Sequence, residues 1–253
     1  MPSFKLTIAY DGTNYVGWQR QASGTSIQGL LEEALSGLDS RPVTVIGAGR
    51  TDAGVHALGQ VAAASLERPI DADRLRRALN ARLPASVRVV RAIETTADFH
   101  PRFAACAKRY RYRMWQAEVL SPFERGFVWH VPAPLDIAAM DAGARTLEGE
   151  HDFAAFQAAG SETRQTERIL WSSTIRDAGD SLLVYEVRGS GFLRHMVRAI
   201  VGSLVEVGRG RHSPEWIADV LRSKDRTRAG PTAPPEGLFL VSVEYDAPSG
   251  GQS

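Results

Sequence analysis

The sequence predicts an α+β protein made of two consecutive ferredoxin-like halves. Alternating apolar and polar residues indicate strands, apolar residues at helical spacing indicate helices, and these elements follow the order β-α-β-β-α-β twice. We expect the halves to occupy residues 1–104 and 105–246, with their two sheets joined side by side and a cleft between the halves. The Gly/Ser-rich end, residues 247–253, is expected to be a disordered tail.

The first half shows this order most clearly. Phe4, Leu6, Ile8 and Tyr10 alternate with other residues, which is typical of a strand. The capping box Thr25-Ser-Ile-Gln28 predicts the start of one helix, and Asp71 predicts the cap of a second helix that Pro84 ends. The strands predicted for this half are residues 4–10, 42–48, 60–66 and 87–93.

The second half repeats the order with little sequence identity to the first. Asp136 predicts the cap of its first helix, residues 192–207 are expected to form the second, and Ser213-Pro214 is expected to cap a short extra helix through Leu221. The turn Asp177-Ala-Gly-Asp180 indicates a hairpin. The strands predicted here are residues 107–116, 169–176, 182–188 and 238–245.

Composition limits the classes of function. No segment approaches the roughly 18 apolar residues of a membrane span, and the N-terminal residues show no secretory signal. Cys106 is the only cysteine, which excludes an internal disulfide or a multi-thiolate metal site and favours a cytoplasmic protein. The net charge is only +1, yet just three of the 30 basic residues are lysines. Arginine binds phosphate and stacks on bases, but a GC-rich genome explains the bias equally well.

A glycine-rich loop, residues 47–60, carries the single carboxylate Asp52 next to Arg50. It lacks the lysine of a phosphate-binding Walker loop, and the segment after it reads as a strand rather than the helix of a dinucleotide site. Glycines let a flat substrate approach closely, and a nearby arginine can keep a carboxylate ionised for nucleophilic or general-base chemistry. The plain alternative is a turn aspartate that binds its own backbone, which is common in such loops.

Two other stretches favour RNA as the partner. On the predicted strand 107–116, Arg109 and Arg111 share one face with Arg113, and tyrosines including Tyr110 share the other. Such a surface suits phosphate contacts and base stacking, although acids on a neighbouring strand could equally pair the arginines.

The second stretch, residues 189–198, passes through two glycines into the start of a predicted helix, a geometry that accommodates anions. Arg194 and Arg198 are expected on one face of that helix. The plain alternative for His195 beside them is a histidine on the helix surface. We do not expect it to bind a metal, because no second His or Cys is suitably spaced and the six histidines are scattered.

The sequence resembles the tRNA pseudouridine synthase A family over nearly its whole length, from about Lys5 to Tyr245. The core GRTDAGVH is far more specific than a loose glycine pattern. The segments that carry the resemblance are GAGRTDAGVHALGQV (47–61), GWQRQ (17–21), KRYRY (108–112), GFLRHMVR (191–198) and EGLFLVSVEY (236–245).

The resemblance implies a role for each matching residue. Asp52 would be the catalytic aspartate, and Arg50 would help displace and hold the target nucleotide. Tyr110 would stack on the target base and is a candidate for proton handling. Arg198 would pair with Asp52, and Leu238 would wall the base pocket.

The resemblance also implies a fold and a reaction. The fold is one mixed, mostly antiparallel sheet formed by two ferredoxin-like halves, with helices packed on it. The reaction converts uridines at about positions 38 to 40 of the tRNA anticodon arm into pseudouridine on a flipped-out base. It would need no cofactor and no metal, and the enzyme would be a homodimer. Ala199 replaces a common asparagine and Phe239 a common tyrosine, which puts pocket contacts rather than activity in doubt.

Two competing functions remain open from the residues alone. A non-catalytic RNA-binding protein of two RRM-like units would explain the arginines and aromatics. It gives no reason for a carboxylate where RNA phosphates approach, because like charges repel. A metabolic enzyme that binds a free nucleotide through the glycine loop is the weaker alternative, for want of the lysine and the helix.

Overall fold

A computed structural model of the chain describes residues 1–161 and 163–245, so the predicted tail, 247–253, lies outside the described residues. Its elements are strands and α-helices in mixed order, which confirms the α+β class. The strands are β1 Ser3–Tyr10, β2 Ile46–Gly47, β3 His56–Ser65, β4 Val87–Thr95, β5 Ala107–Trp115, β6 Trp129–His130, β7 Gly149–Asp152, β8 Glu167–Asp177, β9 Leu182–Gly189 and β10 Leu238–Glu244. The α-helices are α1 Ile27–Asp39, α2 Ala72–Arg82, α3 Ile137–Arg145, α4 Met196–Gly208 and α5 Glu215–Ser223.

Contacts divide the chain into two compact units. The first unit holds Met1–Cys106 and the closing segment from Phe239, and the second holds Ala107–Leu238. The closing strand therefore groups with the first unit, whereas the sequence placed it in the second half. The domain bounds 1–104 and 105–246 stay a prediction.

The first unit has a sheet in the order β4-β1-β3-β10, with β2 added to β3. β1 is antiparallel to both β3 and β4, and β10 is parallel to β3. The apolar residues of β1 alternate as the sequence predicts, and Phe4, Leu6 and Ile8 are fully buried. α1 and α2 bury their leucine faces, so the order β-α-β-β-α-β is confirmed here.

Two local predictions in this unit, the cap of α1 and the strand 42–48, are wrong. Ser26, not Thr25, caps α1, because the Ser26 hydroxyl accepts from the Gly29 N–H (3.1 Å). The predicted strand 42–48 shrinks to β2, since the N–H groups of Val43 and Val45 donate to side chains of α1 instead of a neighbouring strand. A buried valine alternation therefore does not require strand pairing.

The second unit has a sheet in the order β5-β9-β8-β7, with β6 beside β5. The predicted caps are partly confirmed: Asp136 accepts from Ala139 N–H (2.9 Å) at the start of α3, whereas no side chain caps α5. The predicted hairpin is confirmed, and Asp177 accepts from Gly179 N–H (2.8 Å) within its turn. Every residue of α4 except Arg198 is buried.

α4 begins at Met196, four residues later than the sequence predicts. His195 precedes it in the left-handed region, with φ 62°, and a residue in that conformation cannot belong to a right-handed helix. Arg194 thus lies before the helix, and the prediction that Arg194 and Arg198 share a helical face is wrong.

None of the helices in residues 1–161 and 163–245 combines the length and apolar character that crossing a bilayer requires.

Candidate active site

Asp52 lies at the start of a tight turn between β2 and β3. The Asp52 carbonyl accepts from the Val55 N–H (3.2 Å), and Gly54 takes φ +77° at the third position of the turn. A type II turn requires a positive φ there, which glycine adopts without strain. Asp52 is half-buried, so this turn sets the residue at the surface of the fold.

A second glycine-containing segment, residues 12–18, supports this turn from one side. The Trp18 N–H donates to the Thr51 carbonyl (3.1 Å), and the Trp18 ring is almost fully buried. A Cβ on Gly12 would lie 2.1 Å from the Val55 carbonyl oxygen, and one on Gly17 would lie 2.5 Å from that of Thr51. The two backbones therefore pack against each other at a distance that only glycine permits.

The other side of the turn is held by buried polar groups of the sheet. The Tyr10 hydroxyl and the Thr51 hydroxyl share a hydrogen bond of 2.8 Å. Gln60, fully buried on β3, donates from Nε2 to the Gly49 carbonyl (3.0 Å). Burial raises the pKa of Tyr10 to about 12, although hydrogen bonds from Thr51 and Gln60 lower it in part. The phenol is therefore a neutral group throughout the physiological range.

Arg50 projects from the same loop into solvent. Its Nε donates to the Gln19 Oε1 (3.1 Å), which directs the guanidinium toward the segment GWQRQ. An exposed arginine two residues from the carboxylate is free to rearrange when a polyanion approaches, because its hydrogen bond is to a neutral amide at the surface.

His56 closes the turn on the side of β3. Its Nδ1 accepts from the Gly12 N–H (3.0 Å) and lies 3.3 Å from the Asp11 carboxylate, while its ring stacks on Phe239 with centroids 4.7 Å apart. Burial raises the pKa of Asp11, but hydrogen bonds from Thr13 and the nearby His56 outweigh it and lower that pKa overall. Phe239, one of the two departures from the family pattern, thus packs on the first residue of β3, directly after the turn.

Tyr110 lies in the middle of β5 with its ring largely buried. The ring meets Phe192 edge to face, with centroids 4.9 Å apart. Its neighbour on the same face, Tyr112, donates from its hydroxyl to the Pro234 carbonyl (2.7 Å), so the tyrosine face predicted for this strand is confirmed as a packed face. Burial, together with the charge of Glu236, raises the pKa of Tyr112.

The arginine face of β5 is also confirmed, and carboxylates pair two of its three members. Arg111 meets Glu186 on β9 at 2.7 Å, directly across the strands, and Arg113 meets Glu124 at 2.7 Å. Arg109 lies opposite Arg188, whose guanidinium is 4.8 Å above the Trp171 ring. The alternative in which carboxylates pair the arginines of this face is therefore confirmed for Arg111 and Arg113.

Arg198 lies in the first turn of α4, where it ties down the segment that precedes β10. Its Nε donates to the Ala233 carbonyl (2.7 Å), and its own carbonyl accepts from the Ala233 N–H (3.0 Å). Leu238 follows that segment and is buried. Arg194 is exposed and lies before the helix, and its carbonyl accepts a hydrogen bond from the Ala158 N–H (2.9 Å).

The residues proposed from the sequence thus divide between the units. Arg50 and Asp52 share one loop of the first unit, and the remaining six belong to the second: Arg109, Tyr110, Arg111, Arg194, Arg198 and Leu238. Sequence reasoning missed Tyr10, Gln60 and the glycines of residues 12–18 as supports of the loop. Gly17 lies in the segment GWQRQ and Gln60 in GAGRTDAGVHALGQV, whereas Tyr10 was predicted only as a strand residue. Within residues 1–161 and 163–245, no three His, Cys, Asp or Glu side chains cluster as metal ligands would.

Comparison with known proteins gives one consistent result. The sequence profile of a family described as tRNA pseudouridine synthase matches residues 6–104 and 144–246. A tRNA pseudouridine synthase A of Solibacter usitatus is 53% identical over 97% of this chain and 100% of its own length. The protein of that name from Myxococcus xanthus is 47% identical over 97% of this chain and 92% of its own. A crystal structure of a Cbf5-Nop10-Gar1 complex matches at TM-score 0.35 and 12% identity, covering 80% of this chain and 45% of that one, which is too weak to add to the assignment.

Proposed function

Because this chain belongs to the tRNA pseudouridine synthase family, we propose that it converts uridine into pseudouridine in tRNA with Asp52 as the nucleophile. The targets that we propose are the uridines at about positions 38 to 40 of the anticodon arm, each flipped out of its stack for reaction. The exact site and the nucleophile follow from the family resemblance of the loop GRTDAGVH.

The observation that carries the proposal is the way Asp52 is held. Its turn is closed by a hydrogen bond to Val55, packed against Gly17 at a distance that excludes a side chain, and tied through Thr51 to Trp18. A nucleophile that is positioned before substrate arrives avoids the entropy of ordering it in the transition state. A turn aspartate with only a structural role needs no such support on both sides.

The reaction requires one carboxylate and no redox partner. The bond between N1 and C1′ breaks, the uracil turns, and a new bond joins C5 to C1′. C5 loses its hydrogen as a proton and N1 gains one, so substrate and product are isomers. Three routes are chemically open to the Asp52 carboxylate: addition to uracil C6, attack on the ribose, or deprotonation of the ribose.

The other residues are assigned roles that fit their types. Arg50 is exposed beside Asp52, where it is available to occupy the gap that a flipped nucleotide leaves. Tyr110 is proposed to stack on the uracil, because its edge-to-face contact with Phe192 orients the Tyr110 ring before the base arrives. Arg198 is proposed to keep Asp52 ionised, and Leu238 to wall the base pocket.

Arg109, Arg111 and Arg194 are proposed to contact the tRNA backbone, with Arg111 the weakest candidate because Glu186 already neutralises it. We further propose that the enzyme is a homodimer that acts in the cytoplasm without a cofactor. The single cysteine, Cys106, is compatible with a reducing compartment.

Tritium release tests the function directly. A tRNA transcript labelled with tritium at uridine C5 loses the label only when C5 forms the new bond. We expect release by the wild type and none by Asp52→Asn, with tRNA binding retained in a filter assay. Asp71→Asn is the matched control, since Asp71 caps α2 in the same unit and asparagine caps a helix equally well.

Transcripts with cytidine at each of the proposed target positions locate the modified uridines. Binding without any release by the wild type would instead support the non-catalytic RNA-binding function. Tritium release that persists in Asp52→Asn would support the synthase activity but show that Asp52 is not its nucleophile.

A further inference from the structure

A buried polar network lies directly beneath the turn that carries Asp52. It consists of Tyr10 on β1, Thr51 in the loop and Gln60 on the neighbouring strand β3, with exposures of 4%, 7% and 0%. The Tyr10 hydroxyl hydrogen-bonds the Thr51 hydroxyl at 2.8 Å and is also reached by the Gln60 side chain. Gln60 in turn holds the Gly49 carbonyl at 3.0 Å.

The network holds the loop at points on both sides of Arg50. Gly49 is fixed by its carbonyl, while Thr51 is fixed by its hydroxyl from below and by its carbonyl, which accepts from the Trp18 N–H. Two fixed residues so close to Asp52 leave its Cα little freedom. Among the described residues, no buried side-chain nitrogen or oxygen lacks a partner, so the polar groups of this network are satisfied within the fold.

Polar groups at this depth are costly if their only role is to fill space. A phenylalanine and a valine would occupy the positions of Tyr10 and Thr51 with the same shape and no hydroxyl to satisfy. Replacing both partners of a buried hydrogen bond in that way is close to neutral for stability. The bond therefore has another use, and its location beside Asp52 indicates which one.

We propose that Tyr10, Thr51 and Gln60 form a positioning network that sets the Asp52 carboxylate for its reaction with tRNA uridine. The inference rests on the proposed function, in which Asp52 is the nucleophile. Tyr10 touches neither substrate nor the reacting atoms; it acts through Thr51, and Gln60 acts through Gly49. The network determines how often the carboxylate occupies its reactive position, which affects the chemical step rather than tRNA binding.

The kinetic signature follows from that role. Tyr10→Phe and Thr51→Val each remove one hydroxyl of the same hydrogen bond. Each variant should lower kcat about 10- to 100-fold, because displacement of a reacting group by about 1 Å has a cost of that order. KM for tRNA should stay within about twofold, since the network lies below the surface that tRNA meets. The double variant should be no slower than the slower single variant, since both delete one interaction.

Two further variants separate positioning from stability. Thr51→Ser keeps the hydroxyl and should restore kcat to near the wild-type value. Tyr185→Phe is the matched control: the Tyr185 hydroxyl meets the Ser173 hydroxyl at 2.9 Å, both residues are fully buried, and both belong to the second unit. It should lower the midpoint of urea unfolding as much as Tyr10→Phe does while leaving kcat unchanged.

The experiment is steady-state tritium release, which gives kcat and KM, with single-turnover release at saturating enzyme to isolate the chemical step and tRNA binding measured beside it. Wild-type kcat in Tyr10→Phe, a loss equal to that of Tyr185→Phe, or a loss confined to KM would each overturn the inference. The proposed function fails separately, by release that persists in Asp52→Asn. If Asp52→Asn abolishes release while Tyr10→Phe leaves it unchanged, the positioning network is refuted and the proposed function stands.

Discussion

The substitution Gly17→Ala offers a direct test of how tightly the Asp52 turn is held. Gly17 has φ +103°, and its Cα faces the carbonyl of Thr51 and the backbone of Asp52. A methyl group at this position would enter the contact between the two loops. The effect is local, because Gly17 lies on a segment that contacts the turn and makes no contribution to the chemistry of Asp52 itself.

The magnitude follows from the distances. The new Cβ would lie 2.5 Å from the Thr51 carbonyl oxygen and 3.0 Å from the Asp52 carbonyl carbon, whereas ordinary contact begins at 3.4 Å. Relief of that overlap moves the turn by about 0.9 Å, and a displacement near 1 Å lowers turnover about 100-fold. The unfavourable φ adds about 1–3 kcal/mol to the cost in stability.

The assay combines single-turnover tritium release with urea unfolding. Gly179→Ala is the control, because Gly179 has φ +83° in the turn between β8 and β9 and a Cβ there would meet nothing within 4 Å. The control should lose only the stability that the unfavourable φ costs, and no activity. Wild-type turnover in Gly17→Ala, or equal losses of turnover in the two variants, would refute the reasoning that the packed glycine positions the carboxylate.

Two further predictions concern stability. Burial raises the pKa of Asp39, but the N–H of Arg68 and the Arg41 guanidinium outweigh it and hold that pKa below its ordinary value. Asp39 therefore stabilises the fold above its unfolded pKa of about 3.9 and stops doing so as the pH falls through the lower folded pKa. The free energies of unfolding in urea of wild type and Asp39→Asn should differ at pH 7 and converge in acid. A difference that stays constant with pH would contradict this. Arg111 and Glu186 should show a coupling of about 0.2–1 kcal/mol in a double-mutant cycle with Arg111→Gln and Glu186→Gln, and additive losses would show that the ion pair contributes nothing.

Local signals in the sequence were sufficient for most of the secondary structure. The alternation of Phe4 to Tyr10 and the leucine spacing of α1 are set by burial on one face, a property that the order of residues alone displays. Asp71 and Asp136 capped helices as predicted because capping needs only the nearest three residues. Local signals did not predict the start of α4, because the left-handed conformation of His195 depends on the surrounding structure.

Pairing partners were the second limit. No local pattern shows that the N–H groups of Val43 and Val45 donate to Ser36 and Glu32 of α1, which prevents most of the predicted strand. Nor did it show that β10 runs parallel to β3. Both outcomes depend on residues distant in the chain, whose approach no local pattern records.

The sequence by itself determined the α+β class, the elements that carry it, and Asp52 as the residue to examine, because hydrophobic periodicity and a specific motif are properties of short segments. Only the tertiary structure showed that Gly12 and Gly17 support the turn, that Tyr10 and Gln60 lie beneath it, and that Glu186 neutralises part of the arginine face. These residues are separated by tens of positions in the chain. Their contacts exist only after the strands pair and the core excludes water, which is why a reading of one segment at a time could not reveal them.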